Sequence, residues 1–191
     1  MRCAAVALAF TLAACGPLVQ IGGNAKSPDS LLTLRATAAP AAAITGGATI
    51  GVEVPGVPGP LQTLRMPVVT ADTEVTYLKA AIWADQPNKQ FQRLLSDTLA
   101  ARGHQVINLS QSGVAPQRRL TGVLGEFGVD VRDPGAPVVR VRYDAQLTQP
   151  FRLQRFEASE PLGSVDPQSA AAALNRAANR VAGQVADWAA Q

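Results

Sequence analysis

The clearest pattern in the chain is an alternation in which Val139, Val141, Tyr143, Ala145 and Leu147 fall on one side. Arg140, Arg142, Asp144, Gln146 and Thr148 fall on the other. A period of two is that of a strand with one buried and one solvated face. Upstream, Val123, Phe127, Val129 and Val131 read as one side of a preceding strand, which ends at the turn Asp133-Pro134-Gly135-Ala136-Pro137. Gln149-Pro150 turns the chain again. Beyond it Phe151 and Leu153 are in phase with each other but out of phase with Phe156 and Ala158, which predicts a bulge near Gln154–Arg155. Shorter strands are predicted at Leu31–Leu34, Ala48–Val54, Met66–Val69 and Val75–Trp83.

Two segments have helical periodicity instead. The first takes Asp85 as its N-cap with Pro87 just inside, runs to about Arg102 and stops at Gly103. Phe91, Leu94, Leu95 and Leu99 share one face of it. The second takes Asp166 as N-cap and Pro167 at its first position. Leu174, Ala178, Val181, Val185 and Trp188 recur along it at three- and four-residue spacing. Such stripes suit packing on the chain's own sheet. The predicted fold is a two-layer α/β (α+β) sandwich: a mixed, largely antiparallel sheet with two amphipathic helices packed on one face. Between these elements, Pro55 to Pro60 holds three prolines and two glycines and reads as a stiff, irregular loop. Ala36 to Gly47 is a low-complexity connection.

The start of the chain obeys different rules. Arg2 is followed by an uncharged, mostly apolar run from Ala4 to Ala14. That run is shorter than the roughly 20 residues needed to span a bilayer, and it suits the hydrophobic region of a secretory signal. It ends in Leu12-Ala13-Ala14-Cys15, which looks like a lipobox, with Cys15 as the acylated mature N-terminus. The expected organisation is a signal peptide at 1–14, a lipidated cysteine and flexible tether at 15–30, and a folded domain at 31–191. The other cysteine, Cys3, lies in the removed segment, so no intramolecular disulfide is expected. One acyl chain holds a protein at a membrane only marginally, whereas a diacylglycerol plus an N-acyl chain, such as palmitate, on Cys15 anchors it stably. Gly16 follows the cysteine where enterobacterial inner-membrane retention places Asp. This predicts the periplasmic face of the outer membrane rather than the inner membrane.

Charge and chemistry change the picture little. Removal of Arg2 with the signal lowers the net charge from +3 to +2, which gives no reason to expect nucleic acid. His104 is the one histidine, without His, Cys or carboxylate neighbours at metal-ligand spacing. No cofactor, metal site or catalytic constellation is expected. Gly122, Gly125 and Gly128 recur every third residue inside a strand pattern, where glycine marks bulges or close packing. Arg140 and Arg142, with Arg132, Arg152 and Arg155, form a candidate basic strip for anionic head groups or an acidic partner. The plainer reading is the solvated face of a sheet.

Several wordings, taken in order, resemble a known family. They are Leu31-Leu32-Thr33-Leu34; Leu61-Gln62-Thr63-Leu64-Arg65 after the Pro-rich turn; Tyr77-Leu78; and Ala81-Ile82-Trp83-Ala84-Asp85 at a strand-to-helix junction. Phe91-Gln92-Arg93-Leu94-Leu95, Arg119 to Gly122, Glu126-Phe127, Asp144 to Leu147, Arg155 to Ala158 and Ala173 to Ala177 follow. The chain resembles, from Leu31 to Trp188, the ABC-type transport auxiliary lipoproteins, which include the lipoprotein component of paraquat-inducible, MCE-type lipid transport systems. The resemblance implies a non-enzymatic role. It also implies that a remote cytoplasmic ATPase supplies the energy and that this chain docks a periplasmic MCE-domain subunit to the outer membrane. A homo-oligomer is compatible with that role. Family members often carry Tyr-Leu-Asp-Arg near the Pro-rich turn; here Leu64 and Arg65 remain without the Tyr or Asp. Leu64, Arg65, Arg140 and Arg142 are the candidate partner-binding residues. The alternatives are a periplasmic lipid-binding shuttle and a structural lipoprotein of envelope assembly.

Overall fold

The computed structural model describes residues 30–39, 48–109, 111 and 113–191. The expected signal segment, the lipobox with Cys15 and the expected tether up to Asp29 lie outside them, as do residues 40–47.

Among the described residues, seven strands and two helices follow one another as β1 (Thr49–Val52), β2 (Arg65–Ala71), β3 (Glu74–Ile82), α1 (Pro87–Ala101), β4 (Gln105–Ile107), β5 (Arg118–Asp130), β6 (Val138–Leu147), β7 (Arg152–Pro161) and α2 (Pro167–Ala189). The sheet is mixed and open. Strand β5 is its spine. Strand β6 pairs antiparallel along one edge of β5, and β7 pairs antiparallel with β6. The other edge of β5 is shared end to end. Strand β1 pairs with its start, Gly56 bridges to Val123, and β2 pairs with its end, all parallel. Strand β4 lies parallel outside β1, and β3 lies antiparallel outside β2. The long ladders are antiparallel and the parallel ones are short, as the alternation predicts.

Both helices cover one face. Helix α2 lies across β6 and β7, and α1 lies beside it over β1 and β4. The apolar side of β6, from Val139 to Leu147, meets Leu174, Val181 and Val185 of α2 in one buried core. The Phe91 and Tyr143 rings meet edge-on at 5.3 Å, Trp83 and Phe127 lie 5.5 Å apart, and Phe156 and Trp188 lie 5.6 Å apart. Helix α2 is capped as expected: the Asp166 carboxylate accepts from the backbone N–H groups of Gln168 and Ser169. The Ser164 hydroxyl and those N–H groups hold the Asp166 carboxyl down to about 2. Helix α1 ends in a Schellman arrangement. Gly103 at φ 87° lets its N–H reach Ala100 O and the His104 N–H reach Leu99 O. Its N-cap is Gln86 rather than Asp85, whose carboxylate instead accepts from Gln86 N–H and Arg93.

Three strand expectations need correction. The bulge lies in β5, between Leu124 and Glu126, and not in β7. Leu120 and Leu124 therefore share the buried face with Phe127 and Val129, and Val123 points outward at 46% exposure. Strand β7 runs in continuous register with β6. Phe151 at its preceding turn and Leu153 within it stay solvent-facing, while Arg152 lies on the helix side and stacks over Trp188. Strand β4 was not expected; it is three half-buried residues after the α1 cap. Finally, Leu31–Leu34 forms a single bridge from Leu32 to Trp83 rather than a strand. Residues 34–37 run across both helices, and amide side chains stand in for a neighbouring strand. Leu34 N–H donates to Gln90, Arg35 N–H to Asn175 and Thr37 N–H to Asn179, each at 2.8 Å. The Asn179 amide returns a bond to Arg35 O.

Candidate functional site

The uncovered face of the sheet carries a groove of about 210 Å³. Pro58, Pro60 and Leu61 form one wall, Pro67, Val69 and Val75 another, and the main chain around Gly125 and Gly128 forms the floor. Asp130, Arg132 and Arg140 stand at one end. The floor is backbone because side chains do not fit there. A Cβ on Gly128 would lie 2.5 Å from Pro67 O, so the glycine permits the β2–β5 approach.

The Pro-rich loop is fixed against the sheet at several points. Gly56 N–H donates to Gly122 O and accepts at its own carbonyl from Leu124 N–H, both at 2.9 Å. The Asn88 amide donates to Pro55 O at 3.0 Å, and Leu61 is buried as the loop's anchor. The Tyr77 hydroxyl donates to Pro60 O at 3.4 Å, and the Arg65 guanidinium lies 4.3 Å over the Tyr77 ring. A wall built this way loses little conformational freedom when a partner enters.

Charge at the groove's end is organised around Asp130, a carboxylate only 5% exposed. Arg132 donates to it from Nε and Nη2, the latter at 2.7 Å, and also from its backbone N–H; Arg140 Nε donates at 2.7 Å. The Arg132 bonds, reinforced by Arg140, hold the Asp130 carboxyl well below the usual carboxylate range. Arg132 also reaches Asp72 at 2.8 Å. Farther along the same face Arg142 pairs with Glu126, and Arg155 pairs with Asp144 at 2.6 Å. The expected basic strip is thus an alternation of arginine and carboxylate, without Arg152, which faces the helices.

The four candidate partner residues fall into two groups. Arg140 lines the groove, and Arg142 lies over its floor, about 3.0 Å from where a Gly125 Cβ would stand. Leu64, 41% exposed, and Arg65 do not line the groove; Arg65 connects to the loop wall through Tyr77. Asp130, Pro67, Val69 and Val75 were not singled out by sequence. Asp130 sits between the apolar Val129 and Val131, and a charge placed so in a strand was the available signal. His104 Nε2 lies 3.1 Å from Ala186 O and joins the end of α1 to α2. Among the described residues, no three His, Cys, Asp or Glu side chains stand together as metal ligands, and no helix is long and apolar enough to cross a membrane.

Asp130→Asn is expected to cost about 1–3 kcal/mol at pH 7, because it removes the anion shared by two guanidinium groups. The folded-state pKa is depressed, so ionised Asp130 contributes fully above its unfolded value of roughly 4 and loses that contribution as pH falls toward the depressed one. Urea unfolding of the variant and the parent should therefore converge below pH 4. A gap that stays constant from pH 7 to pH 3 would contradict the clamp.

Comparison with curated proteins returns no match. Among the crystal structures that share the fold are two likenesses. Protein XCC0632 from Xanthomonas campestris, described as of the DUF330 family, superposes with a TM-score of 0.69 at 18% identity, covering 83% of this chain and 92% of that one. A protein described as uncharacterized gives 0.62 at 17% identity, covering 74% and 92%. The family model of the ABC-type transport auxiliary lipoprotein component matches residues 30–186. This chain, with its two-layer domain and its groove beside the Pro-rich loop, belongs to the ABC-type transport auxiliary lipoprotein family.

Proposed function

We propose that this lipoprotein, anchored through Cys15 to the periplasmic face of the outer membrane, docks the periplasmic MCE-domain subunit of an ABC-type lipid transporter in the groove beside the Pro-rich loop. Family membership supplies the coarser part: an auxiliary component of ABC-type transport, membrane-associated as a lipoprotein. The groove is the observation that carries the rest. It combines a rigid apolar wall, an exposed main-chain floor and paired charges at one end. These suit an extended or looped protein segment with apolar side chains and a polar end. The adjoining strand β3 offers a further edge, and Val75 on it is 42% exposed.

In this reading residues 15–30 act as the tether. A coil of that length spans roughly 20 Å, which keeps the domain at high effective concentration near a partner held at the same membrane. The family role needs no chemistry in this chain, since the transporter's ATPase supplies the energy.

The lipid-shuttle reading has less support. At about 210 Å³ the groove is smaller than typical small-molecule pockets of roughly 300–1,000 Å³. A wider cleft of about 540 Å³ lies between residues 34–38 and α1, but it is open and includes Arg35, Arg93 and Asp97. An acyl chain laid there would strip water from those charges. The test is photo-crosslinking in cells from position 75, followed by mass spectrometry. The expected adduct is the MCE-domain subunit. Stoichiometric phospholipid on the purified protein, with no such adduct, would replace docking by the shuttle.

A further inference from the structure

The arginines on the open face of the sheet are matched by carboxylates. Arg118 and Arg152 turn to the last carbonyls of α2. Among the described residues, three exposed cations remain without a carboxylate within 4.0 Å: Arg35, Arg65 and Lys79. All three lie near the point where the chain enters the fold. Leu32 N–H donates to Ile82 O at 2.8 Å and Ala84 N–H donates to Leu32 O at 2.9 Å, so residues 31–33 line the edge at the end of β3. On the other side of that stretch Arg65 pairs with Ile82, and Trp83 N–H donates to Leu64 O at 2.7 Å. Between the pairs Arg65–Ile82 and Pro67–Tyr77, β2 has the single residue Met66 and β3 has Leu78 to Ala81. The surplus chain carries Lys79 and Ala80, the latter at φ 58°, into solvent. Lys79 precedes Ile82 by three residues and Arg35 follows Leu31 by four, so both stand within about 14 Å of this junction.

Leu31 and Leu64 flank the junction, 53% and 41% exposed. Asp85, just beyond Ala84, is already shared by Lys89 and Arg93. The edge therefore joins surplus positive charge to two exposed leucines. We propose that this edge, formed by Leu31, Leu64, Arg35, Arg65 and Lys79, is the face of the domain that rests on the anionic phospholipid surface of the membrane holding its anchor. The place where the chain enters the fold decides the occupant. Residues 15–29 separate the anchoring cysteine from Ser30, and a coil of that length spans roughly 20 Å. The tether thus brings head groups to this edge, whereas an acidic protein would have to find it by diffusion. A tether alone leaves the domain free to rotate. Attraction at the tether's own exit selects one orientation. Each Lys or Arg close to an anionic surface favours contact by about fivefold, and exposed leucines enter the interfacial layer. The orientation rests on the Cys15 anchor of the docking reading, while affinity for an anionic surface does not. None of the five side chains lines the groove, so lipid at the edge and a partner in the groove do not compete for residues.

The test uses the full lipoprotein reconstituted in vesicles of phosphatidylcholine alone or mixed with phosphatidylglycerol. A fluorophore is placed on Ala84→Cys, exposed beside the junction, or on Gln184→Cys, exposed on α2. Spin labels on the lipid head groups quench it on contact. Quenching at position 84 should rise in the anionic vesicles and fall back at high salt, and position 184 should show no such rise. Arg35→Gln with Lys79→Gln should lower the contact at position 84 at least tenfold, two factors of about five. Arg176→Gln with Arg180→Gln removes the same charge from α2 and should leave it. Equal quenching in both vesicle types, or equal loss in both double variants, would overturn the proposal. So would photo-crosslinking in cells that captures a periplasmic protein and no lipid from position 84. Protein found without lipid on Cys15 would refute the anchor instead. Flotation with the two vesicle types then decides the edge: a preference for anionic vesicles that Arg35→Gln with Lys79→Gln abolishes supports it, and no preference overturns it.

Discussion

Trp188→Ala is expected to lower the unfolding free energy by about 3–5 kcal/mol, the range for removing a large aromatic side chain from a packed core. The indole is 6% exposed although it sits in the last turn of α2, where helices usually fray. Three contacts hold it there. Phe156 of β7 meets it edge-on at 5.6 Å, the Arg152 guanidinium covers its ring at 4.8 Å, and Arg152 Nη2 donates to its carbonyl at 3.0 Å. Arg118 closes the same helix end by donating to Ala189 O at 2.9 Å. Truncation would leave a cavity between α2 and β7 and would take away the surface that holds Arg152 in place. Urea unfolding followed by circular dichroism measures the loss. A loss below about 1 kcal/mol in a normally exported protein would mean that the stripe ends before Trp188 and that the last turn packs elsewhere.

That stripe was legible because every member of it has one environment. Leu174, Ala178, Val181, Val185 and Trp188 are all buried, and the alternation from Val139 to Leu147 is buried and solvated in strict turn. The neighbouring strands were harder for a physical reason. A bulge shifts the phase of everything after it, and Gly125 marks it in a stretch where three glycines obscure the pattern. At the start of β7 the exposed Phe151, in the preceding turn, and Leu153 imitate a buried phase and invite a bulge that does not exist. The segment from Leu34 to Thr37 could not be placed from local pattern at all. Its hydrogen-bond partners, Gln90, Asn175 and Asn179, lie 56 to 142 residues away and are side chains. The groove was legible only in parts. The Pro-rich loop reads as stiff and the arginines read as solvent-facing, but that both border one cavity depends on the order of strands around β5.

Cys15→Ser is expected to abolish membrane attachment, leaving soluble or unprocessed protein. Among the described residues no helix is long and apolar enough to cross a membrane. Burial of acyl chains contributes about 0.8 kcal/mol per methylene, so several chains outweigh any contact the folded domain could make with a membrane surface. The motif Leu12-Ala13-Ala14-Cys15 motivates this prediction, and the family is one of lipoproteins. Mass spectrometry of the wild-type N-terminus should find a diacylglycerol thioether on Cys15 and an acyl group on its amine. Fractionation should place the protein with outer-membrane markers, since Gly16 and not Asp follows the cysteine. An unmodified Cys15 would contradict the anchor, and co-fractionation with the inner membrane would contradict the sorting.

The central claim is that the domain works by holding a protein partner in the groove. The most direct measurement places a photo-crosslinker at Val75, inside the groove, and separately at Gln184, exposed on α2 on the far side of the sheet. Both are expressed in living cells as the full lipoprotein, and the adducts are identified by mass spectrometry. The docking account predicts that position 75 captures the periplasmic MCE-domain subunit, that position 184 captures it at least tenfold less, and that Cys15→Ser reduces capture from position 75. Equal capture from both positions, or no MCE-domain adduct from position 75 while the purified protein carries phospholipid one to one, would contradict it.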